Sequence, residues 1–212
     1  IHYFAVNNDQ AENTFELSLL KTLYNKLIHF MNQNTKKQAK KNIAKHYDLG
    51  NNFYECWLDK SMTYSSAIFN SKADNLETAQ YNKYKKLAEL SSIKDGDEIL
   101  EIGCGWGGFS EFIGNNYNCK VTAVTISEEQ FNFAKNRINE AKLSEKVNIL
   151  FCDYRNIIGK FDKIVSIEMF EAVGKEYWNT FFQKIENILK PNGNVSLQLI
   201  TIDDKIFNVY EN

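Results

Sequence analysis

The sequence predicts an α/β protein with a doubly wound, mostly parallel sheet covered by helices, preceded by an N-terminal helical segment. Two observations support this prediction. After residue 93, β-rich runs alternate with helical stretches, and before it apolar residues recur at the three- and four-residue spacing of helices. We therefore divide the 212-residue chain into a helical segment, 1–92, and an α/β domain, 93–212.

The N-terminal segment contains two predicted helices, the first over 17–31 and the second over 76–90. Between Glu16 and Asp48 the chain has no acidic residue. The lysines of this basic stretch are Lys21, Lys26, Lys36, Lys37, Lys40, Lys41 and Lys45. The stretch is either a surface for a polyanion or an apolar stripe packed on the main domain with its lysines in solvent.

The α/β domain contains five predicted strands, which are separated by helices. The strands are EILEIG (98–103), KVTAVT (120–125), VNILFC (147–152), KIVSIE (163–168) and NVSLQLITI (194–202), and the helices are 107–116, 128–141 and 175–189. Strands that alternate with helices in this way are typical of a parallel sheet, because each parallel connection must cross over the sheet.

The composition indicates a globular protein outside the nucleic-acid-binding class. The chain is 43% hydrophobic and 25% charged, with a net charge of −2. Its cysteines, Cys56, Cys104, Cys119 and Cys152, are scattered without a C-x-x-C pair. This spacing predicts neither a disulfide framework nor a metal site, and it fits a reducing cytoplasm.

A glycine-rich turn follows the first predicted strand. Gly103, Gly105 and Gly108 satisfy the G-x-G-x-x-G pattern of a Rossmann-like nucleotide-binding turn. A dinucleotide site also needs an acid at the tip of the second strand, whereas that strand ends in Thr125-Ile126-Ser127. Glu101, just before the first glycine, suits a ligand with a positive charge. S-adenosylmethionine carries an ammonium and a sulfonium where a dinucleotide carries phosphates, so it fits this turn better.

Five separated segments resemble the cyclopropane-fatty-acyl-phospholipid synthase family of S-adenosylmethionine-dependent methyltransferases, in the order and at the spacing of that family. They are KNIAKHYDLGNNFYECWLDKSMTYSSAIF (41–69), EIGCGWGG (101–108), VTISEEQ (124–130), CDYR (152–155) and SIEMFEAVG (166–174). The resemblance implies a Rossmann-like methyltransferase sheet. Such a sheet has seven strands and five are predicted here, so we expect the C-terminal strands to be missing from this chain.

The resemblance also implies the residues that bind S-adenosylmethionine. They are Tyr64 and Ser65 over the methionine end; Glu101, Gly103, Cys104, Gly105, Trp106 and Gly107 on the pocket floor; Thr125, Ser127 and Gln130 beside the ribose and adenosine; and Asp153 and Tyr154 beside the adenine. For Thr125 and Ser127 the alternative is ordinary capping of the following helix.

The reaction implied by the resemblance is methylene transfer from S-adenosylmethionine to the cis double bond of an unsaturated phospholipid acyl chain, which forms a cyclopropane ring. Methyl transfer to an alkene leaves a carbocation that aromatic faces can stabilise. Tyr47, Tyr64, Phe170 and Tyr177 are the candidates, and packing in the core is the alternative for Phe170 and Tyr177.

Ring closure requires the loss of a proton, and the resemblance implies a bound bicarbonate as its acceptor. Glu171 matches the glutamate that holds bicarbonate in the family. Ser66 stands where many relatives have cysteine, and Gln198 where they have histidine. Both replacements keep hydrogen-bonding capacity, so we expect Glu171, Ser66 and Gln198 to form an oxyanion site.

A lipid substrate favours the first interpretation of the basic stretch, with a phospholipid bilayer surface as partner. We expect a cytoplasmic protein peripherally associated with the inner membrane face, with no nucleic acid as partner and a homodimer left open. Two alternatives remain. One is a methyltransferase that forms a branched methyl or methylene lipid or acts on a small amine or phenol, and the other is a non-catalytic protein that binds lipid surfaces.

Overall fold

A computed structural model describes residues 50–203 of the chain. Its five strands form one parallel sheet in the order β3-β2-β1-β4-β5. The strands are β1 (Glu98–Ile102), β2 (Lys120–Thr125), β3 (Val147–Phe151), β4 (Phe161–Ile167) and β5 (Leu189–Gln198). The predicted α/β class is confirmed, and all five predicted strands are present. From β1 the chain adds β2 and β3 on one side of the sheet, and it then adds β4 and β5 on the other side. The junction between β1 and β4 is therefore the topological switch point.

The described range contains five helices. They are α1 (Asn51–Glu55), α2 (Leu76–Leu90), α3 (Gly108–Asn116), α4 (Glu128–Glu140) and α5 (Trp178–Ile188), with 3-10 turns at Tyr154–Asn156, Phe170–Ala172 and Lys175–Tyr177. Asn75 begins α2 by accepting a hydrogen bond from the Thr78 N–H at 2.8 Å. The helix predicted over 76–90 agrees with α2, whereas the one predicted over 17–31 lies outside the described residues.

Each face of the sheet carries its own apolar core, because successive side chains of a strand point to opposite faces. Ile99 and Leu100 of β1 are both fully buried, yet they belong to different cores. Ile99 packs with residues of α2, α3 and α4, and Leu100 packs with those of α5. A strand that is buried on both faces is typical of parallel α/β sheets.

Helix α2 shares the Ile99 core through Tyr84 and Leu87. The boundary at residue 93 between a helical segment and an α/β domain stays a prediction. From Gly50 to Asp203, no helix has the length and apolarity that crossing a membrane requires.

Candidate active site

A cavity of about 840 Å³ opens at the carboxyl ends of β1, β2 and β4. This is the edge where doubly wound sheets bind their ligands. Of the thirteen residues predicted to bind S-adenosylmethionine, eleven line it: Tyr64, Ser65, Glu101, Gly103, Cys104, Gly105, Trp106, Thr125, Gln130, Asp153 and Tyr154. The other two, Gly107 and Ser127, are the N-cap residues of α3 and α4 and do not line it. Tyr47 lies outside the described residues.

The glycine-rich turn exposes backbone to the cavity at Gly105. This residue has φ +53°, and a Cβ built on it would meet no atom within 4 Å, so the space in front of it is open. Gly107 serves packing instead, because a Cβ there would lie 3.0 Å from the Ala134 side chain of α4. The two glycines therefore have different roles, one toward the ligand space and one toward the neighbouring helix.

The tip of β2 is joined to α4 by side-chain hydrogen bonds. Thr125 Oγ1 donates to Gln130 Oε1 at 2.9 Å, and Ser127 Oγ accepts from the Gln130 N–H at 3.3 Å as the N-cap of α4. Thr125 and Gln130 line the cavity as well. Thr125 and Gln130 thus take part in the hydrogen bonds at the start of α4 and also line the cavity. The Ser127 hydroxyl only caps the helix.

Asp153 and Tyr154 form the wall beyond β3. Arg155 pairs with Asp153 through Nη2 and Oδ2 at 2.6 Å, and Asp153 also accepts from the Arg155 N–H at 2.9 Å. Tyr154 packs edge-on against Phe181. Two of the aromatic residues proposed to stabilise a cation, Phe170 and Tyr177, pack against the Leu100 core. This packing agrees with the alternative interpretation given for these two residues.

Two opposite charges are buried behind the glycine-rich turn. Glu101 at the end of β1 is 2% exposed, and burial raises its pKa to about 7, although the Ser110 hydrogen bond and the charge of Lys83 oppose the shift. Lys83 in α2 is 1% exposed, and burial lowers its pKa to about 8 against the carboxylates of Glu168, Asp59 and Glu101. Glu101 lines the cavity, and opposed pKa shifts of two neighbouring buried groups are typical of functional sites.

The segment that precedes α2, residues 57–66, covers the cavity. Tyr64 in this segment contacts Tyr54 and Trp57 with ring centroids 5.5 and 5.3 Å apart. Arg137 of α4 holds the segment in place, because its guanidinium donates to the carbonyls of Ser61 at 2.5 Å and Lys60 at 2.7 Å. The same guanidinium also donates to the Trp106 carbonyl at 3.1 Å, so it links the segment to the glycine-rich turn.

Ser66 and Gln198, two of the three residues expected to form an oxyanion site, are hydrogen-bonded to each other, since Gln198 Nε2 lies 3.0 Å from Ser66 Oγ, and both also donate to Glu168. Glu168 Oε1 accepts from the Ser66 N–H at 3.0 Å, from Ser66 Oγ at 2.6 Å and from Gln198 Nε2 at 2.7 Å. The Glu171 carboxylate also lines the cavity, and its Oε1 accepts from the Ile200 N–H at 2.5 Å. Ser66 and Gln198 are therefore hydrogen-bonded to Glu168.

Sequence reasoning missed Lys83 and Glu168, although the sequence contains a pattern that indicates a position at the site for each residue. Lys83 lies in the four-residue series Ala79, Lys83, Leu87, where Ala79 and Leu87 are apolar, so helical spacing placed a lysine on the buried face of α2. Glu168 directly follows β4, at the edge where parallel sheets position reactive groups.

The residues present fit S-adenosylmethionine. Its methionine end carries an ammonium and a carboxylate, and the cavity offers the buried carboxylate of Glu101 and the hydroxyl of Ser65, to which the buried Lys83 ammonium donates. Gln80 Oε1, an acceptor on a residue of the cavity wall, is buried and has no hydrogen-bond partner among the described residues. An unsatisfied buried acceptor at this place suits a ligand that brings donors.

Comparison with known proteins gives consistent results. The mycolic acid cyclopropane synthetase family model matches residues 34–210. The cyclopropane-fatty-acyl-phospholipid synthase of Escherichia coli K12 is 43% identical over 162 residues, which is 76% of this chain and 41% of the relative. The tuberculostearic acid methyltransferase of Mycobacterium tuberculosis is 37% identical over 175 residues, 79% of this chain and 41% of the relative. The chain thus spans about two fifths of the length of these curated relatives.

Solved structures match the same fold. A cyclopropane synthase from Mycobacterium tuberculosis superposes with a TM-score of 0.75 at 29% identity, over 80% of this chain and 60% of that one. A mycolic acid cyclopropane synthase complexed with S-adenosylhomocysteine superposes with a TM-score of 0.72 at 28% identity, over 74% of this chain and 55% of that one.

Proposed function

We propose that this chain, which belongs to the mycolic acid cyclopropane synthetase family, methylates the double bond of an unsaturated phospholipid acyl chain and closes a cyclopropane ring. The observation that carries the proposal is one cavity that holds both the glycine-rich turn with Glu101 and the Ser66–Glu168 pair. A single substrate in this cavity would therefore lie close both to the methyl donor and to the group that removes the proton.

The residues around the turn would hold the methyl donor. Glu101 would pair with its ammonium and Ser65, held by Lys83, would face its carboxylate, while Gly105 leaves room for its methionine and ribose parts. S-adenosylmethionine, when bound, supplies an electrophilic methyl group. An alkene is a weak nucleophile, so the protein's contribution is to hold the two groups in line and to exclude water.

The mouth of the cavity suits an acyl chain. Three apolar residues, Trp57, Tyr64 and Ile200, line the cavity and are also exposed. Exposed apolar side chains at a cavity mouth favour a hydrophobic ligand over a small amine or phenol. The lysines of the basic stretch before Asp48 would attract anionic headgroups, which is the basis for proposing peripheral binding at the inner face of the cytoplasmic membrane.

A second product is favoured by the names of the relatives. Besides the synthases they include a tuberculostearic acid methyltransferase and, at 31% identity over 203 residues, the sphingolipid C9-methyltransferase of Komagataella phaffii. The same cation could lose a proton from the acyl chain, which leaves a methyl-branched alkene, or undergo a 1,2-hydride shift and lose a methyl proton, which leaves an exocyclic methylene. The methyl-transfer step would be shared.

The test is incubation of the full-length protein with unsaturated phospholipid vesicles and methyl-labelled S-adenosylmethionine. The expected result is labelled acyl chains heavier by one methylene unit. Because a cyclopropane and an exocyclic methylene have the same mass, proton NMR of the released fatty acids separates them. Saturated vesicles are the control. Absence of label from every unsaturated lipid, with S-adenosylmethionine still bound, would favour a non-catalytic lipid-binding protein.

A further inference from the structure

The Glu168 carboxylate occupies the position in which the family resemblance implies a bicarbonate. Ser66 donates to Glu168 Oε1 through both its N–H and its hydroxyl, and Gln198 donates through its amide. A serine hydroxyl has a single proton to donate, so its donor capacity is used here. The hydrogen bonds available for a solution anion at this place are already taken by a protein side chain.

A second anion beside Glu168 would also meet a like charge. Two carboxylate-type groups that share one site cannot both ionise without a strong pKa shift. Partial burial opposes ionisation of Glu168, but the bonds from Ser66 and Gln198 and the charge of Lys83 outweigh it and hold its pKa below the usual value. Glu168 is therefore an anion at neutral pH, and the site does not fit bicarbonate.

The backbone at Glu168 is held in an unfavourable conformation. Its φ of +46° lies in the left-handed region, which costs a non-glycine residue about 1 kcal/mol or more. The Glu168 N–H donates to the Gln198 carbonyl at 2.9 Å, which ties the strained residue to β5. Strain of this kind persists where the surrounding structure enforces it, and it is concentrated at functional sites.

We propose, on the basis of the proposed function, that Glu168 is the catalytic residue that accepts the proton from the methylated lipid in place of bicarbonate. The alkene π pair forms a bond to the methyl carbon as the sulfonium C–S bond breaks, which leaves a lipid carbocation and S-adenosylhomocysteine. Glu168 then takes a proton from the former methyl group. The C–H electron pair becomes the second C–C bond of the ring, and protonated Glu168 returns its proton to water.

The geometry leaves one carboxylate oxygen for this step. Glu168 Oε1 takes the three bonds from Ser66 and Gln198, whereas Oε2 accepts none from the described residues. Glu168 also lines the cavity. Loss of a methyl proton converts the carbocation into a neutral ring and is strongly favourable, so a carboxylate of low pKa is a sufficient base.

The test compares bicarbonate dependence in three proteins: the wild type, Glu168→Gln and Glu168→Gly. The wild type should turn over at the same rate with and without bicarbonate. Glu168→Gln should bind S-adenosylmethionine normally but lose about 100-fold or more in product formation, which is the scale of a general-base contribution. Glu168→Gly removes the side chain and the backbone strain, and added bicarbonate should restore its turnover by occupying the released Ser66 and Gln198 donors.

A measurement without turnover accompanies these rates. NMR with carbon-13 bicarbonate should show binding to Glu168→Gly and none to the wild type. Glu186→Gln, an exposed glutamate on α5, is the matched control and should behave as the wild type. Glu171→Gln should lose less turnover than Glu168→Gln, because a glutamine there can still accept from the Ile200 N–H.

Three outcomes would overturn this assignment: wild-type turnover that stops when bicarbonate is removed, full turnover by Glu168→Gln, or a larger loss in Glu171→Gln than in Glu168→Gln. Failure of the proposed function is seen separately. In that case the wild type transfers no label to any lipid, while the bicarbonate-binding measurement still reports whether Glu168 occupies the anion site.

Discussion

Lys83 Nζ donates a hydrogen bond to Ser65 Oγ over 2.6 Å, which joins a fully buried lysine of α2 to the segment that covers the cavity. A buried ammonium is costly unless it is paired. Here the hydroxyl of Ser65 and the nearby charges of Glu101 and Glu168 offset that cost. The contact holds Ser65, a residue of the cavity wall, next to a buried cation.

Replacement of Lys83 by methionine tests this placement. Lys83→Met should weaken S-adenosylmethionine binding by about tenfold, because Ser65 on the cavity wall loses a hydrogen bond to a charged group, which is worth about 1.5–3 kcal/mol. The midpoint of thermal unfolding should also fall, because the buried Glu101 carboxylate loses a neighbouring cation, so affinity is measured at a temperature at which both variants are folded. Calorimetry and thermal unfolding measure the two effects. Lys85→Met, at an exposed position of the same helix, is the control, and equal affinities in the two variants would contradict the prediction.

The pH dependence of cofactor binding tests Glu101. Its pKa of about 7 means that the carboxyl is partly protonated at neutral pH in the free protein. If the ionised form binds the ammonium, affinity should fall as the pH drops below about 7, by up to about tenfold per pH unit, and binding there should release a proton. Calorimetry in buffers of different ionisation enthalpy counts that proton. Glu101→Gln should bind weakly with a flat acid limb, and a persistent slope in this variant would assign the titration to another group.

The open space at Gly105 leads to a steric prediction. Gly105→Val would place a branched side chain in the cavity, so S-adenosylmethionine affinity should fall by about tenfold or more while the fold survives. Gly96→Val is the matched control, because Gly96 also has positive φ with no atom within 4 Å of a built Cβ. Both variants should lose similar thermal stability through backbone strain. Unchanged affinity in Gly105→Val would remove the ligand from this part of the turn.

The basic stretch is tested by vesicle binding. Changing Lys36, Lys37, Lys40 and Lys41 to glutamine should weaken binding to anionic vesicles by about 1 kcal/mol per lysine at low salt and flatten its salt dependence. S-adenosylmethionine affinity should not change. The control replaces four exposed lysines elsewhere, Lys94, Lys120, Lys135 and Lys142. Equal sedimentation of both variants with the vesicles at every salt concentration would refute the lipid-binding role.

The strands and the glycine-rich turn could be predicted from sequence because both depend on local information. The run predicted as 120–125 is strand β2, and the helix predicted over 76–90 is α2. Alternation along a strand decides which side chains enter which core, and a glycine at positive φ is a property of one residue. The position of the cavity could also be predicted from the sequence, because parallel strands present their carboxyl ends at one edge of the sheet.

The identity of the carboxylate at Ser66 could not be predicted in this way. Glu168 and Glu171 are three residues apart, and sequence reasoning chose Glu171. The left-handed backbone at Glu168 and the following 3-10 turn decide which one meets Ser66, 102 residues away, and Gln198. Likewise, Ser65 and Lys83 meet only after α2 packs on the sheet. The sequence by itself determined the element order and the ligand-binding edge, whereas side-chain direction and distant packing, which exist only in the folded chain, decided the partners of each charge.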